Sequence, residues 1–250
     1  MNFVKTVVAS VLALGAASAM AAPILDNNIR QAPFGSPAPA EVDLQTVLND
    51  TFGSGVVSKV TDQRTTGLWS ATSGVPVPLT LRLEQTGPTS SQRFGIWFGS
   101  DTDSLFTRDL LLGSATPADG SATVTLASGS LTVTSTNCSI THCGTVSDTR
   151  IDPTRFGFYF RNDGLSVPIG YSLDSMNTDR ATRFLAYQGT GSTSSTWVFG
   201  FEERGQYIDF NDMVVRVGSI SAAAVPSPAT PALLALGLLG IAAAHRRRAA

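Results

Sequence analysis

Hydrophobic and polar positions alternate through most of the middle of this chain. Over "VPVPLTLRLEQTG" the apolar residues Val77, Leu79, Leu81 and Leu83 fall on every second position, with Arg82 and Glu84 facing the other way. A period of two puts the four apolar side chains on one face of a strand. "SATVTLASGSLTVTS" holds two more such runs around Ser128-Gly129, which predicts a hairpin. "STWVFGFEE" and "DMVVRVGSI" predict two later strands. One stretch has a different period. In "EVDLQTVLNDTF", Val42, Leu44, Val47 and Leu48 lie on one side at helical spacing, and Gly53 and Gly55 follow. That predicts one short helix. Many short strands and a single helix predict an all-β fold, a jelly-roll-like antiparallel β-sandwich, over residues 41–220.

Two of the strand segments echo each other. "RFGIWFGSD" at 93–101 matches "RFGFYFRND" at 155–163. Phe94, Ile96 and Phe98 share one face, and so do Phe156, Phe158 and Phe160. Gly95 and Gly157 sit in mid-strand, where a glycine marks close backbone approach or a bulge. Trp97 and Tyr159 lie on the glycine face. Packing within the sandwich and ligand stacking are the two readings of that pair.

Composition narrows the function. The chain has 250 residues, a formal charge of −2 and only 14% charged residues. This near-neutral balance gives no electrostatic case for nucleic-acid binding. The dense basic run is Arg246, Arg247 and Arg248, close to the end. At the start, "MNFVKTVVASVLALGAASAMAAP" has Lys5, an apolar run over 7–17 and the small-x-small pattern Ala19-Met20-Ala21. This is a secretory signal peptide over 1–21, cleaved by signal peptidase to leave Ala22 or Pro23 first. The Pro-rich residues 22–40 read as an extended leader. Residues 225–244 carry no charge over 20 positions, about the length that spans a bilayer core as a helix. The arginines after them stay cytoplasmic and leave the domain outside. The expectation is an exported domain held at the inner membrane by a C-terminal anchor over 221–250.

That ending resembles the PEP-CTERM sorting signal: a short Pro-containing motif, an apolar helix and an Arg cluster. The motif here is Val225, Pro226, Ser227, Pro228 and Ala229, with serine where the usual core has glutamate. The resemblance implies a Gram-negative bacterium that makes exopolysaccharide. It also implies an exosortase that removes the helix, so that the protein passes to the cell surface or the medium.

The densest set of oxygen ligands lies in "FGFEERGQYIDFNDMVVRV". Glu202 and Glu203 end one strand, and Asp209, Asn211 and Asp212 open the next. Calcium accepts six to eight oxygens of these kinds, and clustered acids repel unless a cation or hydrogen bonds offset the charge. A calcium site therefore competes with a capped turn neutralised by Arg204 and Arg216. If the turn falls at Phe210-Asn211, Asp209 and Asp212 converge with one glutamate and Phe210 packs inward. The stretch resembles the end of domain-of-unknown-function family 4114, through Asp209-Phe210-Asn211-Asp212 and Val214-Val215, with Tyr207 in place of the first acid. "LQTVLN" and "FLAYQGTG" fit the same family. The resemblance covers about 41–220 and implies a β-sandwich module of exported and surface proteins, with no established reaction.

Other motifs point away from catalysis. Cys138 and Cys143 in "NCSITHC" predict one disulfide in an exported chain. With His142 they make poor zinc spacing. "GTGSTS" at 189–194 lacks the third glycine of a dinucleotide loop. There is no Gly-x-Ser-x-Gly, and a Ser-His-Asp triad would have to use His142 between the cysteines. "SDTDSLFTRD", with Asp101, Asp103 and Asp109, is calcium-like in composition but lacks the Gly and Glu of an EF-hand loop. The reading is a non-enzymatic, surface-sorted β-sandwich of the envelope or exopolysaccharide matrix. A calcium-assisted carbohydrate-binding module and an extracellular hydrolase are the alternatives. Calcium is the one cofactor the sequence suggests, and a polysaccharide is the one ligand class.

Overall fold

The computed structural model describes residues 42–64, 67–84, 92–99, 105–112, 120–135, 143–162, 170–177, 182–202 and 209–223. All of them belong to one compact unit, Leu25–Ala223. The signal peptide, the leader and the sorting and anchor segment lie outside the described residues. Among the described residues no helix is long and apolar enough to cross a membrane.

Among the described residues one α-helix, α1 (Leu44–Phe52), precedes fourteen strands. They are β1 (Gln63–Arg64), β2 (Trp69–Ala71), β3 (Pro76–Glu84), β4 (Gln92–Phe98), β5 (Phe106–Leu112), β6 (Ser121–Ala127), β7 (Ser130–Ser135) and β8 (Gly144–Ser147). Then come β9 (Gly157–Asn162), β10 (Gly170–Tyr171), β11 (Phe184–Gln188), β12 (Trp197–Phe201), β13 (Met213–Val217) and β14 (Ile220–Ala222). An eight-stranded sheet runs β1-β11-β12-β13-β3-β6-β7-β8, a four-stranded sheet runs β10-β9-β4-β5, and β14 pairs with β2. Each ladder is antiparallel. The predicted β6–β7 hairpin forms, with Gly129 at φ 75° in its turn.

The two larger sheets pack face to face on one aromatic core. Val77, Leu79 and Leu81 of β3 are buried as their alternation predicts, and Arg82 is exposed. β4 and β9, the echoed segments, pair directly: Phe94 faces Phe160, Gly95 faces Tyr159, Ile96 faces Phe158 and Trp97 faces Gly157. Their phenylalanines point inward. Phe94 stacks on Phe158 at 5.1 Å, and Phe160 meets Phe201 of the larger sheet at 5.0 Å. Trp69 of β2 fills the centre, 5.3 Å from Phe158 and 4.9 Å from Phe199. Such tilted aromatic pairs add about 0.5–1.5 kcal/mol each beyond the area they bury.

A second, smaller core lies on the other side of the larger sheet. Leu44, Val47 and Leu48 of α1 and Val57 behind it pack on Leu185, Tyr187, Val198 and Val214. Asp43 caps the helix by accepting the Gln45 amide at 2.7 Å, and Gly53 ends it at φ 99°. Val42 does not share the buried face as the spacing implied. It precedes the cap, outside the helical period, and is 42% exposed.

Candidate functional site

The acidic turn is built by the β12–β13 pair. Phe201 faces Met213, so Glu202 leaves one strand where Asp212 enters the other. Glu202 is buried, and its Oε2 accepts the backbone amides of Asp209 at 2.9 Å and Phe210 at 3.0 Å. Two successive amides aimed at one oxygen form a small anion-binding concavity, and Glu202 occupies it. The backbone reaches this shape by taking Phe210 to φ 56°. Gly200 makes room for it, since a Cβ there would lie 2.5 Å from the Phe210 carbonyl oxygen. The Phe210 ring is buried in the smaller core. Asn211 is fully buried and its Nδ2 donates to the Val42 carbonyl at 3.0 Å.

Asp209 and Asp212 each act on Glu202, and Phe210 is turned inward. The side chain of Asp212 hydrogen-bonds Glu202, and the Asp209 charge acts on it. Burial pushes the Glu202 carboxyl up and the Asp209 charge adds to this. The Phe210 and Asp209 amides and the Asp212 side chain pull it back, and the net result is above the ordinary glutamate value. Glu203 and Arg204 lie outside the described residues. Arg216 stands in mid-strand, facing Val198 and Thr80, and not at the turn. Among the described residues, no group of three or more His, Cys, Asp or Glu is placed to hold a metal ion.

The outer face of the smaller sheet holds a cluster that the sequence reading did not assemble. Tyr171, Tyr159, Gly95 and Asp109 form one row across β10, β9, β4 and β5. Asp109 is buried and accepts the Tyr159 hydroxyl at 2.6 Å, Arg161 Nη2 at 2.6 Å and Arg93 Nη1 at 3.1 Å. Burial opposes its charge, but the Arg161 and Tyr159 hydrogen bonds and the two guanidinium charges outweigh it and hold the carboxyl below the ordinary aspartate value. Asp109 is therefore a strand residue with cationic partners, not part of a ligand loop; Asp101 and Asp103 lie outside the described residues. Trp97 and Tyr159 are not ligand-stacking residues either. They are 1% and 2% exposed, and each ring covers the glycine of the neighbouring strand, Trp97 over Gly157 and Tyr159 over Gly95. The Trp97 indole donates to the Phe158 carbonyl at 2.9 Å.

A signal for this cluster was available. The outward positions of β4 read Arg93-Gly95-Trp97 and those of β9 read Gly157-Tyr159-Arg161. Laid antiparallel, each aromatic meets a glycine and the two arginines meet, which is the observed register. Elsewhere, Cys143 takes part in a disulfide, and its expected partner, Cys138, lies outside the described residues.

Fold and sites together define an antiparallel β-sandwich protein with a helical cap. No family model matches the chain, and no curated protein matches it. Among solved structures it is similar to the C-terminal domain of the BC2L-C lectin from Burkholderia cenocepacia, at 15% identity and a TM-score of 0.29, over 62% of this chain and 95% of that one. At that score the likeness carries no argument.

Proposed function

We propose that this chain is an exported, surface-sorted protein of the cell envelope or exopolysaccharide matrix, a jelly-roll-like sandwich that acts by structure or by binding rather than by catalysis. The observation that carries the reading is where the buried acids are spent. Hydrolysis of a glycosidic bond needs two carboxyl groups free to flank it. Glu202 is engaged by two backbone amides, and Asp109 by two guanidiniums and a phenol. Each holds backbone or a neighbouring strand in place. The signal-peptide pattern and the PEP-CTERM-like ending supply the export and sorting, through signal peptidase, the inner membrane and an exosortase. To test the reading, the purified protein is incubated with a panel of acidic and neutral bacterial polysaccharides. Retention and new reducing ends are both measured. Retention or inertness without new reducing ends supports the reading. Reducing ends that vanish in Glu202→Gln or Asp109→Asn refute it.

A second reading, calcium-assisted carbohydrate binding, is favoured by one observation. Glu202 and Asp212 are hydrogen-bonded carboxyls, and such a pair needs a proton or a cation to offset its repulsion. With Tyr207 where the resembled family has an acid, affinity is expected in the range of extracellular modules, about 10⁻⁴ to 10⁻³ M. Millimolar calcium then raises the melting temperature by binding only the native state, and Asp209→Asn removes the rise. A melting curve indifferent to calcium and chelator leaves the pair to a proton.

A further inference from the structure

The acidic turn and the helical cap are joined in a way that the sandwich core is not. The cap is cross-linked within itself. Gln45 donates to the Val57 carbonyl at 2.8 Å and accepts the Lys59 amide at 2.8 Å, while Lys59 pairs with Asp43 at 2.6 Å. Residues 43–59 are thus one piece. This piece meets the sheet through the smaller core, which shares no residue with the main core, and at its far end through the Tyr187 hydroxyl, which donates to the Lys59 carbonyl at 2.8 Å. The turn enters that smaller core directly, by the Phe210 ring, and grips the start of the cap, by Asn211 on the Val42 carbonyl. Both positions depend on one backbone shape. Phe210 sits at φ 56°, a conformation a bulky side chain adopts only where its surroundings impose it. The Glu202 carboxylate imposes it, through the Asp209 and Phe210 amides.

We infer that the Glu202 turn is a latch for the cap: its carboxylate fixes Phe210 and Asn211, these pin α1 to the outer face of the larger sheet, and loosening the latch lets residues 43–59 lift as a unit while the sandwich stays folded. Lifting uncovers a strip of apolar surface, Leu185, Tyr187, Val198 and Val214, on three adjacent strands. The cap is thus a strap over an apolar sheet face, controlled from a turn distant in sequence. Glu202 and Asn211 are positioning residues in this device. The inference is independent of whether the protein binds a polysaccharide.

Native-state hydrogen exchange tests it, because local opening and global unfolding are separated residue by residue. The amides of α1 are compared with those of β4 and β9 in the wild type, Glu202→Ala, which removes the acceptor of both amides, and Asn211→Ala. The latch predicts that exchange in α1 rises about 10- to 100-fold in both variants, the loss expected for one charged or one fully buried hydrogen bond, with β4 and β9 unchanged. Two results overturn it: α1 protection equal to the wild type, or α1, β4 and β9 rising by the same factor. Should Glu202→Ala fail to fold, Asn211→Ala decides alone, because it leaves the carboxylate and the turn intact.

Discussion

Replacing Gly95 with alanine probes the packing of the two echoed strands. A Cβ at this position would sit against the Tyr159 ring, closer than any real Cβ contact, with Cζ, the hydroxyl oxygen and Cε1 its nearest neighbours. The ring cannot stay where it is. Forcing a methyl into a packed site costs about 1–3 kcal/mol. Moving the ring also takes the Tyr159 hydroxyl from the Asp109 carboxylate, a charge-assisted bond of 2.6 Å whose loss costs about 1.5–3 kcal/mol. Gly95→Ala is therefore expected to lose about 3–6 kcal/mol. Tyr159→Ala has a large cost of its own, about 3–5 kcal/mol by analogy with other buried aromatics. It also empties the space that the added methyl needs. In that background Gly95→Ala should cost about 1 kcal/mol or less, so the two changes couple by about 2–5 kcal/mol. Urea denaturation followed by tryptophan fluorescence measures all four corners of the cycle. Additivity within about 0.5 kcal/mol would refute the reasoning, since it would mean that the ring does not lie over the glycine.

Two further expectations concern charge and cross-linking. Asp109 titrates below the ordinary aspartate value in the fold, so the stability it contributes is present above that ordinary value and is lost as pH falls through the lowered one. Glu202 titrates above the ordinary glutamate value, so its contribution is full below that value and is lost as pH rises through the raised one. Stability measured against pH should change slope in opposite senses for Asp109→Asn and Glu202→Gln; identical profiles for the two variants and the wild type contradict the assignment. Cys138 and Cys143 should be bridged. Mass spectrometry of the non-reduced peptide then shows a loss of about two hydrogens, and two freely alkylated thiols rule the bridge out.

Much of the fold was legible in period and turn chemistry. β3, β6 and β7 alternate, and Ser128-Gly129 marks the hairpin. The inward phenylalanines of β4 and β9 and the close approach at their glycines were also readable. Other features needed register. Asp109 lies 16 residues from Arg93 and 52 from Arg161, and only the β5-β4-β9 order brings them together. The helical cap left a mark that alternation hides: "FLAY", "WVFGF" and "MVV" are continuous apolar runs, as expected of strands buried on both faces. α1 covers the second face. β1, β2, β10 and β14 have two or three residues each, too short for any period to show. The acidic turn was legible because its residue types are concentrated in one hairpin. The role of Glu202 as an amide acceptor was not, because backbone donors leave no trace in the side-chain pattern.

The proposed function places this sandwich outside the cytoplasm. The full chain, produced in a Gram-negative host, is separated into cytoplasmic, inner-membrane, outer-envelope and medium fractions, and its intact mass is measured in each. Protein that begins at Ala22 or Pro23 is expected, found at the inner membrane while the C-terminal segment is retained and in the outer envelope or medium once it is removed. Protein beginning at Met1 and confined to the cytoplasm would contradict it.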